Sequence, residues 1–172
     1  WTENGTVVST DASYTFTVDA ARTLQANFAV ATFSISIEST NGGSVSGQGT
    51  YVYGTSLTVT ATPSPNYNFV SWTENGTVVS TDASYTFTVD ADRTLKANFA
   101  INTFSVTLEY TEGGSVSGQG TYDYASDATV TATPNTGYNF VNWTVNGVVV
   151  TTEVSYTFTV YNDITLKANF AI

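Results

Sequence analysis

Residues Trp72–Ile101 read WTENGTVVSTDASYTFTVDADRTLKANFAI, and the fold can be worked out from this stretch. Asn75-Gly76 stands between two runs of polar and β-branched residues, which is the strongest short-range signal for a β-hairpin. Further on, Tyr85–Val89 alternates apolar side chains with threonines, a period of two that is typical of a strand with one buried face. The stretch therefore predicts a series of short strands.

The same stretch occurs three times in the chain. Trp1–Val30 differs from it only at positions 21/92, 25/96 and 30/101, and Trp143–Ile172 keeps 22 of its 30 residues. The three tryptophans stand 71 residues apart. A chain that copies one module almost unchanged extends a structure or multiplies a weak contact, and seldom builds one asymmetric catalytic site.

The 41 residues between consecutive copies are repeated as well. This segment opens with alternation at Phe33–Ile37, continues through the glycine-rich run Gly42–Gly49, and ends the apolar run Leu57–Thr62 at Pro63. We call the 41-residue segments (31–71 and 102–142) the first and second A halves. The 30-residue segments (1–30, 72–101 and 143–172) are the first, second and third B halves.

The chain then reads B-A-B-A-B, and three domains are predicted: an N-terminal half unit (1–30) and two complete units (31–101 and 102–172). Cutting at the tryptophans instead would interrupt the presumed strand Asn66–Glu74. The joint Ala100–Thr103 holds no Gly or Pro and is short, so we expect consecutive units to be held at a restricted angle.

The predicted fold class is all-β, with tandem small domains that are β-sandwiches or β-grasp-like without a clear helix, because no apolar stripe of period 3.6 is present. The predicted hairpin turns are Asn75-Gly76 and Asn146-Gly147. The predicted core consists of aromatic and aliphatic residues of both complete units: Phe33, Val59, Phe69, Trp72, Phe87, Leu95, Phe99, Phe104, Phe140, Trp143, Phe158 and Phe170.

Composition excludes several classes of function. The chain has 172 residues with 14 acidic and 4 basic side chains, a formal net charge of −10, and its Lys and Arg residues are scattered. Nucleic acid and anionic membrane surfaces need clustered positive charge, so neither is an expected partner. No apolar run approaches the length of a membrane span. Since His, Cys and Met are absent, disulfide, thiolate and imidazole chemistry is excluded.

The address of the chain is inferred indirectly. A sequence without Cys and Met suits an oxidising exterior. The chain begins at Trp1 without Met or a signal peptide, and we interpret it as an excerpt or processed product of a larger protein. An extracellular location, on the cell surface or secreted, is the expectation.

The N-terminal half unit poses a packing question. Both A halves are served by the B halves that follow them, so the apolar residues of 1–30 have no partner segment of their own, and an isolated three-stranded fragment is marginal in water. We expect this half to pack on the neighbouring unit or on another molecule. Tyr14, Phe16 and Val18 are the predicted residues of a chain–chain contact.

The sequence resembles the divergent internalin-type B-repeat family. The resemblance rests on GGSVSGQGTY at 42–51 and 113–122, on TVTATP followed by YNFV-x-W-T-x-NG, and on the YTFTV and TLKANF runs, and it covers the whole chain. It implies a tandem β-domain, β-grasp-like with a short helix, in large bacterial cell-surface or secreted proteins. It also implies a spacer or adhesive-stalk role with no enzymatic activity.

Candidate chemistry is sparse, and no catalytic, cofactor or metal site is predicted. Nucleophilic catalysis needs a base, and Lys96, the best available, is Gln25 in the first copy. Asp90 and Asp92 are the best local acid pair for a cation, but an ordinary solvated turn accounts for them. The aromatic pairs Tyr51/Tyr53 and Tyr122/Tyr124 flank the glycine-rich runs and are candidates for stacking on sugars.

Three functional hypotheses follow. The first is a non-catalytic extracellular stalk or spacer, built by stacking repeats of the same or the parent chain. The second is a fibre subunit that self-associates through residues 1–30. The third is a glycan-binding repeat.

Overall fold

The computed structural model describes all 172 residues, and all of the regular structure is β-strand. The N-terminal half unit contains three two-residue strands, β1 (Thr2–Glu3), β2 (Thr6–Val7) and β3 (Leu24–Gln25). The first complete unit contains β4 (Thr32–Ser39), β5 (Gly43–Ser46), β6 (Gly49–Val52), β7 (Ser56–Pro63), β8 (Tyr67–Glu74), β9 (Thr77–Ser80), β10 (Ser84–Thr88) and β11 (Arg93–Ile101). The second contains β12 (Thr103–Tyr110), β13 (Gly114–Ser117), β14 (Gly120–Asp123), β15 (Asp127–Pro134), β16 (Asn139–Val145), β17 (Val148–Thr151), β18 (Ser155–Thr159) and β19 (Ile164–Ala171).

The predicted all-β tandem architecture is confirmed, and the short helix implied by the family resemblance is not present. Accordingly, the chain has no helix with the length and apolar character that crossing a membrane requires.

Each complete unit is a sandwich of two sheets. In the first unit a five-stranded sheet has the order β6-β4-β11-β8-β9, and a three-stranded sheet has the order β10-β7-β5. The second unit repeats both sheets as β14-β12-β19-β16-β17 and β13-β15-β18. Strands from both sheets of a unit contribute to one buried cluster, so the two sheets pack face to face.

The A and B halves of a unit interleave in both sheets. In the five-stranded sheet β4 from the A half pairs with β11 from the B half, and in the three-stranded sheet β7 pairs with β10. The β4–β11 pair is parallel, while the other pairs of the unit are antiparallel. Neither half can therefore complete a sheet or a core alone.

The two complete units have separate cores of matching composition. The first core is Ile35, Leu57, Val59, Ala61, Trp72, Val89, Leu95 and Ala97. The second is Val106, Leu108, Ala128, Val130, Ala132, Trp143, Val160, Leu166, Ala168 and Phe170. The other aromatic residues predicted for the core (Phe33, Phe69, Phe87, Phe99, Phe104, Phe140 and Phe158) are partly buried and pack against these clusters.

A β-bulge brings Trp72 into the core. Strict alternation from Phe69 would put residue 72 on the opposite face, because successive side chains in a strand point to opposite sides. The register of β8 on β11 shifts so that Phe99 pairs with Phe69 and Asn98 with Ser71, which leaves Val70 as the extra residue. After the shift both Phe69 and Trp72 contact the same core, with ring centroids 5.8 Å apart.

Candidate functional site

The joint between the complete units is a single residue, Asn102, which lies between β11 and β12. Its backbone N–H donates to the Asn66 carbonyl of the first unit, with N and O 2.8 Å apart. Its own carbonyl accepts from the Tyr124 N–H of the second unit, also at 2.8 Å. The Asn68 side-chain amide donates to Asn102 Oδ1 at 2.6 Å. Asn102 is thus hydrogen-bonded on both sides, which restricts its backbone.

The joint that follows the N-terminal half unit has the same downstream contact but lacks the side-chain contact. The Tyr53 N–H donates to the Ala31 carbonyl at 2.8 Å, as Tyr124 does to Asn102. Ala31 has no amide side chain to accept a further bond. Residue 102 therefore adds one hydrogen bond that residue 31 cannot make.

The N-terminal half unit leaves its apolar face open. Val18 is 80% exposed, whereas its counterparts Val89 and Val160 are 0% and 1% exposed. A depression of about 300 Å³ beside Trp1 is lined by Ala12, Ala26 and Phe28. The residues predicted for a chain–chain contact lie on this half, where Tyr14 stacks on Phe16 with centroids 5.3 Å apart. Neither complete unit covers the face.

An ion pair stacks on an aromatic ring at the edge of the first unit. Arg93 donates from Nε and Nη2 to the Glu74 carboxylate, the shorter contact being 2.6 Å, and its guanidinium lies 4.3 Å from the centroid of Phe87. The hydrogen bond from Arg93 holds the pKa of Glu74 below its ordinary value of 4.5, and the same bond raises the pKa of Arg93. Arg22 and Glu3 repeat the pair in the half unit.

The second complete unit replaces both partners together. Val145 stands at the position of Glu74 and Ile164 at that of Arg93, and both pack against the second core. A carboxylate–guanidinium pair and an apolar pair are alternative ways to fill one site, and apolar replacements of comparable volume are often neutral. The ion pair is therefore a packing element of the fold.

We expect Glu74→Val and Arg93→Ile to be costly singly and nearly neutral together. Each single variant leaves one partner without its counterpart and should lower the free energy of unfolding of the first unit by about 1–2 kcal/mol. The double variant should match wild type within about 0.5 kcal/mol, because the second unit carries that pair. Urea unfolding followed by amide NMR signals of each unit measures these values. Additive losses would contradict the assignment.

The same pair should make the first unit acid-sensitive. The pKa of Glu74 is lower in the folded than in the unfolded state, so the contribution to stability is complete above the unfolded pKa. It is lost as the pH falls from about 4.5 through the folded pKa. The stability of the double variant should fall less between pH 5 and about pH 3. Lys96→Gln, which carries the residue found at position 25, serves as the control.

The tyrosines proposed for sugar stacking have different environments. The hydroxyl of Tyr51 donates to the Gly47 carbonyl at 3.0 Å and that of Tyr122 to the Gly118 carbonyl at 2.8 Å, and both rings pack against the cores. Tyr53 is exposed beside Phe33, and Tyr124 lies edge-on to Tyr161. Tyr51 and Tyr122 thus use their hydroxyls within their own units.

Asp92 closes a strand of the A half. Its Oδ1 accepts from the Ser34 N–H at 2.7 Å, and Asp163 accepts from Ser105 in the same way at 2.8 Å. The neighbouring Asp90 does not join it in a cluster of three or more potential metal ligands, and no such cluster is found in the chain. No sequence pattern points to the Asp92 contact, since the two residues are 58 positions apart.

A polar groove follows the outer face of the five-stranded sheet. It is lined by Glu38, Thr73, Asn75, Gly76, Thr94, Lys96 and Asn98, with a volume of about 480 Å³. The second unit has the same residue type at each of the seven corresponding positions. Asn98 is held in place by hydrogen bonds to Ser71 and Thr73, so part of this set links neighbouring strands.

Sequence comparison places the chain among known repeats. The divergent InlB B-repeat domain family matches residues 33–103 and 104–172. No curated protein and no solved structure matches the chain. The matched family comprises structural repeat domains of bacterial surface proteins. With most of its length covered by two consecutive matches, the chain belongs to the divergent InlB B-repeat family.

Proposed function

We propose that the chain is a non-catalytic stalk or spacer of a bacterial cell-surface or secreted protein. The observation that carries the proposal is the joint at Asn102, where one residue with hydrogen bonds to both units connects two closed cores. A repeat joined in this way adds length with each copy and limits bending. Extracellular location is supported by the family and by the absence of Cys and Met.

A non-catalytic role is supported by the surface of the complete units. The chain has no His or Cys, and Lys96 and Lys167 lie on exposed positions of the outer sheet face. Hydroxyl nucleophiles therefore lack an activating base of ordinary pKa. The acidic net charge of −10 favours solubility and weakens lateral association of such rods.

Small-angle X-ray scattering on chains with two, four and six complete units tests the proposal. Each unit should add about 30 Å to the maximum dimension, the diameter expected for a compact 71-residue domain. The increments should be equal. A control chain with a flexible Gly-Ser insertion after each Asn102 equivalent should fall below this line, as a string of loosely tethered beads does. Wild-type chains that follow the control would overturn the stalk proposal.

Self-association into a fibre is the second candidate, and the open face of residues 1–30 favours it. Two half units docked face to face would cover Val18 and Phe28, which are 80% and 94% exposed. Sedimentation equilibrium distinguishes this candidate from the stalk, because a monomer of 18.3 kDa at micromolar concentration is incompatible with it.

Glycan binding receives less support. The hydroxyls of Tyr51 and Tyr122 are committed to backbone carbonyls, and this leaves Tyr53 and Tyr124 as the rings available to a sugar. A glycan array on the intact chain, with Tyr53→Ala and Tyr124→Ala beside it, tests the candidate. Signals that both variants retain would remove these rings from consideration.

A further inference from the structure

We propose that residues 1–30 form a binding site for an A half that is not one of the two in this chain. The occupant is a segment with the sequence pattern of residues 31–71, and the complete units show how it would sit. This inference concerns a binding site and does not depend on the stalk role.

The open face presents the same apolar residues that an A half buries in the complete units. Trp1, Leu24 and Ala26 correspond to Trp72, Leu95 and Ala97, all three of which are fully buried. Phe28 is 94% exposed, whereas its counterpart Phe170 is 8% exposed. Residues 1–30 differ from 72–101 at three positions only, so the surface has the chemistry that the first A half already fits.

The open face also presents backbone groups that an A half would pair. In the first complete unit the Ala83 carbonyl accepts from the Ala61 N–H at 2.9 Å, and the Ala97 carbonyl accepts from the Thr40 N–H at 3.0 Å. The corresponding carbonyls of Ala12 and Ala26 are left without these donors. Residues 13–17 form no strand, although the identical residues 84–88 form β10 against β7 of the A half.

The half unit holds the shape of a bound B half without its partner. Its hairpin turn has φ values of 51° at Asn4 and 78° at Gly5, against 49° and 81° at Asn75 and Gly76. Arg22 pairs with Glu3 at 2.5 Å and lies over Phe16, as Arg93 pairs with Glu74 and lies over Phe87. A preorganised site loses less conformational entropy on binding.

The A halves of this chain cannot cover the face. The last strand of a B half and the first strand of its A half run parallel, with Arg93 beside Ile35. In that arrangement Val30 and Thr32 would lie about 36 Å apart at 3.3 Å per residue. Two Cα–Cα steps of about 3.8 Å cannot connect them. The A half that directly follows the half unit is therefore excluded.

Counting the halves excludes exchange between copies as well. Each chain has two A halves and three B halves, so any swap that fills one B half opens another. A homo-oligomer built by exchange keeps one open B half per chain. The occupant therefore has to come from outside these 172 residues.

One substitution separates the half unit from the other two B halves in this role. Asp92 and Asp163 each accept a hydrogen bond from the first strand of their A half, from Ser34 and Ser105. The corresponding residue of the half unit is Ala21. An A half bound to residues 1–30 would lack this charge-assisted bond, and Ala21→Asp should restore it.

The test is titration of the full chain with a fluorescently labelled peptide of residues 31–71. We expect saturable 1:1 binding. Ala21→Asp should tighten binding by about tenfold, the effect of one charge-assisted hydrogen bond. Val18→Asp should weaken it by about a hundredfold or more, because the counterpart position is completely buried. Val7→Asp is the matched control, since Val7 and its counterpart Val78 are both exposed, and should change affinity less than about twofold.

A second format avoids dependence on the solubility of the peptide. A copy of residues 31–71 is fused ahead of Trp1 through a protease-cleavable linker, cleaved, and passed over a size-exclusion column. Retention of the cleaved segment on the chain supports the site. Release of the segment, equal losses for Val18→Asp and Val7→Asp, or a dimer of the chain that protects Val18 and excludes the peptide would overturn the proposal.

Discussion

Replacing Trp72 with Ala is expected to unfold the first complete unit or bring it close to its midpoint. The indole is fully buried and contacts Phe69, and its Nε1–H donates to the Ala83 carbonyl at 3.3 Å. Truncation of a buried Trp costs about 3–5 kcal/mol. A 71-residue domain has roughly 4–10 kcal/mol in total. Calorimetry should therefore show the first unit melting at a much lower temperature, with the second unit unchanged because its core is separate.

Trp1→Ala is the matched control for this variant. Trp1 has the same sequence neighbours as Trp72, but it lies on the open half unit and is only half-buried. We expect the transitions of both complete units to remain where they are in wild type. If Trp72→Ala behaved like Trp1→Ala, the first core would not depend on Trp72, and the assignment of the sandwich interior would be wrong.

Gly43→Ala is expected to be the most disruptive change that adds only one methyl group. Gly43 has an ordinary φ, so the effect comes from space alone: a Cβ would collide with the ring of Phe99 and would approach the Thr62 carbonyl oxygen to 2.7 Å. Overpacking of this kind costs about 1–3 kcal/mol. The loss should appear in the urea midpoint of the first unit, and Gly114→Ala should reproduce it in the second, where Phe170 covers the glycine.

Gly54→Ala tests whether the loss comes from packing. Gly54 has a φ of +82°, and a methyl group added there would meet nothing within 4 Å. The second unit carries Ala125 at this position with a φ of 62°. We expect a loss of about 1 kcal/mol at most, from backbone strain alone. In Gly43→Ala, the additional change Phe99→Leu should recover part of the stability by removing the ring. Failure of that rescue would argue against the Phe99 contact.

The local features of the fold can be read from the sequence. Period-two alternation indicates the strands, and Asn75-Gly76 and Asn146-Gly147 adopt the positive φ values that a tight hairpin turn requires. The 71-residue spacing of the tryptophans indicates tandem units. These features depend on residues that are close in sequence or on direct repetition, and for this reason one chain is sufficient to predict them.

The long-range features cannot be read in this way. Alternation does not reveal that β4 and β11 run parallel, because pairing depends on residues 58 positions apart. The bulge at Val70 breaks the local period, and only the need to bury both Phe69 and Trp72 explains it. Composition predicts a restricted joint at Asn102, whereas the three hydrogen bonds that restrict it depend on Asn66, Asn68 and Tyr124.

The open half unit lies between these cases. The sequence predicts that its apolar residues have no partner segment, and packing on the neighbouring unit is one expected solution. The structure does not use that solution, since Val18 and Phe28 remain exposed. The parallel pairing gives the reason, because the adjacent A half cannot reach back along the strand from Val30.

The central claim is that an A half and the B half after it close one core, and the order of the halves tests it most directly. Two fragments of 71 residues, 31–101 and 1–71, each contain the first A half and one of two B halves that differ at three positions. We predict that 31–101 folds cooperatively with dispersed amide signals. Fragment 1–71 should not, because a direct link at Ala31 cannot join parallel neighbours. Equal folding of both fragments, or folding of 1–71 alone, would contradict the account.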